Sequence, residues 1–333
     1  MAKIRPVLRV NMSGCGQGPD RALEADRYQA AIEMAEYADK NGFAIVNVEE
    51  HHDVEIGWLG SPLPLAAAIA VRTRQVQIRG SAVLVTLYDP LRLAEDVAFL
   101  DVISRGRFTL VAGQGYRPSE YHMMDRDFAA RGASMDFVIE TLLKAWGGEP
   151  FDYRGQRVRI SPAPYTRPHP PLHIGGMSKV AVRRAARFGL PFFPAQPNAE
   201  LEAFYLAEMA RAGKTGEVVI QREMSLWFID EDPDEAWATL GPYFLKESRQ
   251  YSSWRRAGVD RIFAKTSETA DDLRRQGVYE ILTPDLALAR MRAATADYMP
   301  IVQPLTGGLP IERAWRCMEL FGGVMGSVKQ ASV

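Results

Sequence analysis

The chain has 333 residues, 47% of them apolar and 24% charged, with a formal net charge of -1. That composition can build a sizeable core and excludes a disordered chain. The near-zero charge excludes a global field that would draw in nucleic acid or an anionic membrane. The two cysteines, Cys15 and Cys317, lie far apart, so neither a disulfide framework nor a cysteine-based zinc site is expected. "MAKIRPVLRVNMSG" lacks the apolar block of a signal peptide, and "PLPLAAAIAV" is too short to span a bilayer. The expectation is a soluble, cytoplasmic protein in a reducing compartment.

In chain order, "VLRVNM" reads as a first strand, and the apolar spacing over 24–41 as a helix stopped by Gly42. "FAIVNVE" is a second strand, followed by a helix over 62–72 with proline at its start. "VQIRGSAVLV" and a helix over 90–103 come next, then "RFTLVAG" and a helix over 133–146 ended by two glycines. The proline-rich stretch near 147–171 reads as an insertion with a short hairpin. "LHIGG" with a helix over 179–188, "LPFFPA" with one over 200–212, and "EMSLWFI" with one over 234–254 continue the alternation. The stretch 255–283 resists assignment and is taken as a second insertion; "YMPIVQPL" and a helix over 310–328 finish the chain. Eight strand–helix units predict a parallel sheet closed as a (β/α)8 TIM barrel in one domain, 1–333. A doubly wound open sheet fits the first half equally well.

A barrel places its chemistry at the C-terminal ends of its strands. There the sequence sets Asn11, the run Glu49-Glu50-His51-His52, Ser81, Gln114, Tyr116 and Gly175 to Ser178. His51 and His52 are adjacent on an extended strand, so they point to opposite faces and do not readily grip one metal ion. They either cap a strand end or present one imidazole for proton transfer. "SGCGQGP" fails the GxGxxG dinucleotide pattern. "HIGGMSKVAVRRAARFG" is a strand, two glycines and a helix with Ser178 at its start, a turn able to hold phosphate on backbone N–H groups. In "LVAGQGYRPSEY", Gly113 and Gly115 make room for a flat ligand beside Tyr116.

Taken together, "EEHHDVEIGWLGSPLPLAAAIAVRTR", "DPLRLAEDVAFLDVISRGRFTLVAGQGYRPSEY", "PHPPLHIGGMSKVAVRRAARFG" and "PLTGGLPIERAWRCMELFGGVM" resemble the bacterial luciferase-like family of flavin-dependent monooxygenases and reductases. The resemblance implies a TIM barrel of the luciferase-like type with insertions, commonly a homodimer, holding reduced FMN or coenzyme F420 in its mouth. It implies that His51 is the proton-transfer residue, that Gly80-Ser81-Ala82 carries a non-proline cis peptide under the flavin ring, and that Asn11 faces that ring. Gly175, Gly176, Met177 and Ser178 match the phosphate turn. Two positions depart from the pattern. Gln114 stands where the luciferases carry a phosphate-binding arginine, and Met123 and Met124 replace a phenylalanine–glycine pair.

The implied function is a two-component monooxygenase that takes reduced FMN from a separate flavin reductase and uses O2 on a small organic substrate. One rival is an F420-dependent hydride-transfer oxidoreductase, for which Lys179, Arg183 and Arg184 are candidate contacts to the longer acidic tail. Another is a non-catalytic flavin-binding barrel. Trp58, Met123, Met124 and Phe193 suggest an apolar mouth.

Overall fold

The computed structural model describes residues 3–220, 224–254 and 266–330. The first half alternates as the sequence pattern predicts. β1 (Val7–Val10) leads to α1 (Arg21–Lys40), β2 (Ile45–Val48) to α2 (Pro62–Arg72), and β3 (Gln77–Leu84) to α3 (Pro90–Ser104). β4 (Phe108–Gly113) is followed by a short α4 (Pro118–Met123) and then α5 (Arg131–Trp146). An antiparallel hairpin, β5 (Phe151–Tyr153) and β6 (Gln156–Val158), occupies the first expected insertion. The barrel units resume with β7 (Leu172–Gly175), α6 (Lys179–Phe188), β8 (Phe192–Phe193) and α7 (Ala199–Arg211). β9 (Leu226–Ile229), α8 (Pro233–Ser253), α9 (Ala270–Gln276), β10 (Tyr279–Leu282), α10 (Pro284–Arg292), β11 (Ile301–Val302) and α11 (Ile311–Gln330) complete the described chain.

The main sheet runs β10-β9-β11-β1-β2-β3-β4-β7-β8, and every pairing in it is parallel. The expected count of eight strands is therefore one short. β10 lies in the stretch that resisted assignment, and it adds to the free side of β9; residues 255–265 of that stretch lie outside the described residues. The outer edge of β8 is covered by residues 217–219, through Phe192 N–H to the Glu217 carbonyl (3.0 Å) and Val219 N–H to the Phe192 carbonyl (2.9 Å). The order from β11 through β1 to β8 is that of a barrel, and the flat doubly wound alternative is not adopted.

Helix starts are set by caps. Asp20 accepts from the N–H groups of Ala22 (3.0 Å) and Leu23 (3.1 Å), which begins α1 three residues before the apolar spacing does. Asp89 caps α3 the same way, with Pro90 behind it. The outward faces of the strands (Leu8, Val46, Ile78, Leu110) are buried against helices, and this is the apolar core.

The inward face is different. The register aligns Arg9 with Asn47, Asn47 with Arg79, and Arg79 with Thr109, so one layer inside the barrel is polar. Arg79 Nε donates to Asn47 Oδ1 at 2.9 Å, and its guanidinium lies 4.9 Å from the Phe193 ring centroid. Buried charge of this kind must be paired or hydrogen-bonded. Among the described residues, no helix is long and apolar enough to cross a membrane.

Candidate active site

The flat part of the mouth is built by the ends of β3, β4 and β7. The Ser81–Ala82 peptide is cis, at the point where the β3–β4 register shifts. A Cβ on Gly113 would meet the Ala82 Cβ at 2.7 Å, and one on Gly175 would meet the Ala112 carbonyl at 3.2 Å. Gly176 has φ +155° and its added Cβ would meet that of Ala181 at 2.6 Å. These glycines let β3, β4, β7 and the start of α6 pack closely beside the half-buried Ser81 and Ala82. At its edge, Ser178 caps α6, accepting from Ala181 N–H at 3.2 Å, and Met177 lies between it and Gly176. The first N–H groups of α6 have no partner within the helix and sit at the positive end of its dipole. A phosphate fits such a turn. Gln114 follows β4; its carbonyl accepts from Thr86 Oγ1 at 3.1 Å and from the Tyr121 hydroxyl.

Two glutamates divide the two histidines between them. Glu50 is buried and binds three donors: His52 Nε2 (2.8 Å), the Tyr88 hydroxyl (2.8 Å) and Leu84 N–H (2.6 Å). His52 is thereby tied to the end of β3. Glu120, from α4, sits 3.4 Å from His51 Nδ1 and accepts from His52 N–H (3.2 Å) and Arg117 Nη1 (3.2 Å). Arg117 is fixed in turn by the carbonyls of His52 (2.5 Å) and Asp53 (2.9 Å). Burial works to raise the Glu120 carboxyl, but the bond and charge of His51, the charge of Arg117 and the His52 amide outweigh it and hold it below the ordinary range. An ionised Glu120 only accepts, so it favours the tautomer with hydrogen on Nδ1 and leaves Nε2 as an acceptor. Nε2 makes no hydrogen bond to any described residue.

Around His51 stand four aromatic rings: Trp58 (5.5 Å), Tyr116 (6.5 Å), Tyr251 (6.0 Å) and Trp254 (4.7 Å). Tyr251 and Trp254 come from the end of α8. That helix also inserts Glu247, fully buried, which accepts from Asn11 Nδ2 (3.2 Å), Gln303 Nε2 (2.8 Å), the Tyr279 hydroxyl (2.9 Å) and the Ser13 hydroxyl. Arg9 joins the two layers, gripping Glu49 at 2.5 and 2.8 Å and donating to the Tyr251 hydroxyl at 2.7 Å. Burial drives the Tyr251 and Tyr279 hydroxyls far above their usual range, so both stay neutral donors.

The structure thus gathers His51 and Tyr116 in one cluster. Ser81, Ala82, Gln114 and Gly175 to Ser178 sit at strand ends on the same side of the barrel. Asn11 is set apart: it is 1% exposed, and its amide is engaged with Glu247 and Ser13. Of the expected apolar mouth, only Trp58 lies beside His51. Met123 is 60% exposed on α4, Met124 packs on the Leu84–Leu87–Tyr121 cluster, and Phe193 faces Arg79 and His173 inside the barrel. The sequence reading missed Arg9, Arg117, Glu120, Glu247, Tyr251 and Trp254. Glu247 carried a signal, since it continues the buried stripe Leu240, Phe244 of α8.

Two cavities lie elsewhere. One of about 460 Å³ opens at the opposite end of the barrel beside Arg5, Arg79 and His173; another of about 510 Å³ lies between Gly14, Arg27, Tyr243 and Gly308. Neither is lined by His51; the first lies away from the strands' C-terminal ends, whereas the second borders the turns after β1, β2 and β11 on the C-terminal side.

A sequence model of the luciferase-like monooxygenases matches residues 11–297. The chain is 26% identical over 186 residues to the alkanal monooxygenase alpha chain of Photorhabdus luminescens, covering 52% of this chain and 49% of that one. It is 25% identical over 162 residues to the oxygenase component of the flavin-dependent trigonelline monooxygenase of Acinetobacter baylyi, covering 46% and 45%. The chain thus aligns with about half the length of these curated relatives. Among solved structures, monooxygenase RslO1 from Streptomyces bottropensis superposes with TM-score 0.73 at 24% identity, over 96% of this chain and 98% of that one. The oxygenating constituent of 3,6-diketocamphane monooxygenase from Pseudomonas putida, in complex with FMN, gives 0.67 at 17% identity over 98% of each. An F420-dependent secondary alcohol dehydrogenase gives 0.65 at 17% identity, over 97% and 98%. These likenesses establish the fold as a TIM barrel of the luciferase-like type.

Proposed function

This chain belongs to the luciferase-like monooxygenase family, and on that premise we propose that it is the oxygenase of a two-component flavin monooxygenase. It takes reduced FMN from a separate reductase and acts with O2 on a small organic substrate. The observation that carries the reading is His51, oriented by a carboxylate on Nδ1 and open on Nε2, at the same end of the barrel as a glycine-lined cradle. Gly113, Gly175 and Gly176 each stand where a Cβ would collide with the chain's own atoms, so the strand ends pack closely beside the half-buried Ser81 and Ala82, against which the flavin is placed in this proposal.

Reduced FMN bound there supplies the two electrons with which O2 is divided between substrate and water. The chain's own groups do the rest. The α6 N-terminus and the turn Gly175 to Ser178 hold the phosphate. Ser81, Ala82 and Gln114 border the ring, and Tyr116 with Trp58 keeps water from His51. His51 Nε2 takes or returns the proton at the reacting group, while Glu120 keeps its ring in place. Gln114 lacks the charge of an arginine, which removes a charge-assisted bond worth ~1.5–3 kcal/mol and makes retention of the flavin weak. Weak retention suits a flavin that arrives from another protein, and the relative in Acinetobacter baylyi is itself named an oxygenase component.

Of the three basic residues that would serve a longer acidic tail, Arg184 is buried against Asp136 at 2.5 Å and closed to it. Lys179, in an exposed pair with Glu200 at 2.7 Å, and the exposed Arg183, over Phe204 at 5.4 Å, are held only by surface contacts that cost little to break. A homodimer through α2 and α3 is part of the proposal, supported by Val71 (56% exposed), Phe99 (51%) and Val102 (37%) on those helices. The test of the whole reading is the reoxidation of reduced FMN in air with the protein in excess. Reoxidation slower than that of free flavin, and faster again in His51→Ala, supports it. Reoxidation at the free-flavin rate contradicts it.

A further inference from the structure

We propose that the site takes a flat, electron-rich aromatic substrate, such as a phenol or an indole, and that Trp254 occupies the place where the substrate's ring lies. The inference deepens the flavin-site reading and rests on it. Three of the four rings around His51 meet it edge-on, Trp58 at 89°, Tyr116 at 79° and Tyr251 at 82°. They are walls. Trp254 alone lies against the imidazole at a 38° tilt, with centroids 4.7 Å apart. It also makes ring contacts to Trp58 (5.3 Å) and Tyr251 (5.5 Å). The space beside His51 is therefore one that a planar ring fills.

The charges say which ring. The Arg117 guanidinium lies over the Trp254 ring, 4.3 Å from its centroid. It is held there by Glu120 and by the carbonyls of His52 and Asp53, so it stays when the ring changes. A fixed cation attracts the face of an electron-rich ring and repels a cationic one such as a pyridinium. A saturated chain forgoes both this attraction and the edge-to-face contacts.

One donor points to an oxygen on the ring. Trp58 is 6% exposed and its Nε1 has no acceptor among the described residues. A buried N–H is normally satisfied, and a hydroxyl or carbonyl oxygen on the substrate would satisfy it. His51 Nε2 can accept the proton of a ring hydroxyl: the O–H bond breaks, an N–H bond forms, and the electron pair stays on oxygen. The resulting phenolate is the more electron-rich form. Trp254 is the first residue past α8 and is half-buried, its N–H bonded to the Tyr251 and Ser252 carbonyls, so its indole can leave without unwinding the helix.

The test is calorimetric titration of the full chain with 2-naphthol, its saturated analogue 2-decalol and the cation N-methylquinolinium. The wild-type chain should bind 2-naphthol and neither of the others. Trp254→Ala should bind it ~10-fold more tightly, because the side chain that occupies the site is gone. Arg117→Met should weaken it roughly 3- to 30-fold through the lost cation–ring contact. Equal binding of the decalol or the cation overturns the proposal, and so does unchanged or weaker naphthol binding by Trp254→Ala. The Trp254 variant carries the test if Arg117→Met does not fold. Reduced FMN is titrated separately. A chain that binds naphthol but no flavin sinks the flavin reading, while one that binds flavin but no naphthol sinks only this inference.

Discussion

Replacing Glu247 by glutamine changes no shape but removes a buried charge on which α8 depends. Its Oε1 accepts from the Tyr279 hydroxyl (2.9 Å) and Gln303 Nε2 (3.0 Å); its Oε2 accepts from Asn11 Nδ2 (3.2 Å), Gln303 Nε2 (2.8 Å) and the Ser13 hydroxyl. An amide nitrogen at either place faces donors. Gln303 cannot turn its own amide round, because its Oε1 already accepts from Arg9 at 2.5 Å. At least two bonds to a charged acceptor are lost, each worth about 1.5–3 kcal/mol, so the expected cost is about 4 kcal/mol. For a chain of 333 residues that is a fall of roughly 6 °C in melting temperature. Circular dichroism measures the fall. Tryptophan fluorescence should shift at lower temperature than the helical signal, since α8 brings Trp254 to Trp58. A fall of less than about 2 °C would refute the claim that Glu247 anchors α8.

Gly113→Ala pushes a Cβ to 2.7 Å from that of Ala82; flavin titration should show weakened FMN binding, and unchanged affinity would remove Gly113 from the cradle. His51→Asn should lower turnover on the order of 10²- to 10⁴-fold with flavin affinity retained, measured by separating kcat from the flavin dissociation constant. His173 supplies a pH test. Burial, with Arg79 beside it, lowers its imidazole from 6.5 to about 4. The unfolded chain then binds one more proton between those values, so stability is full above about pH 6.5 and falls toward pH 4, by about 3 kcal/mol in total. Urea unfolding across that range should show the slope, and His173→Gln should flatten it.

Much of the barrel was legible because its signals are local. Period-two strands, proline and aspartate at helix starts, and glycine stops place β1 to β4 and their helices within a few residues. β10 was not legible: four residues, "YEIL", follow a stretch without clear periodicity. The signals beside it were there, with a capping box at Thr269 and Asp272 and Thr283-Pro284 before α10. The site divided the same way. Local patterns singled out the strand-end His51 and the helix-start Ser178 as candidates, with the role of His51 implied by the family resemblance, whereas Glu120 and Trp254 reach His51 across 69 and 203 residues of chain. The polar layer was overlooked although it was written plainly. Arg9, Asn47 and Arg79 each hold the third place of their strands, where a wholly apolar barrel interior would place an apolar residue.

The central claim is that this barrel holds reduced FMN. Equilibrium titration of the purified chain with FMN, reduced FMN and coenzyme F420, followed by flavin fluorescence and calorimetry, tests it directly. Reduced FMN should bind saturably, the oxidised form more weakly and F420 not at all. Preference for F420 would contradict it, and would mean that the ion pair of Lys179 with Glu200 opens to receive an acidic tail.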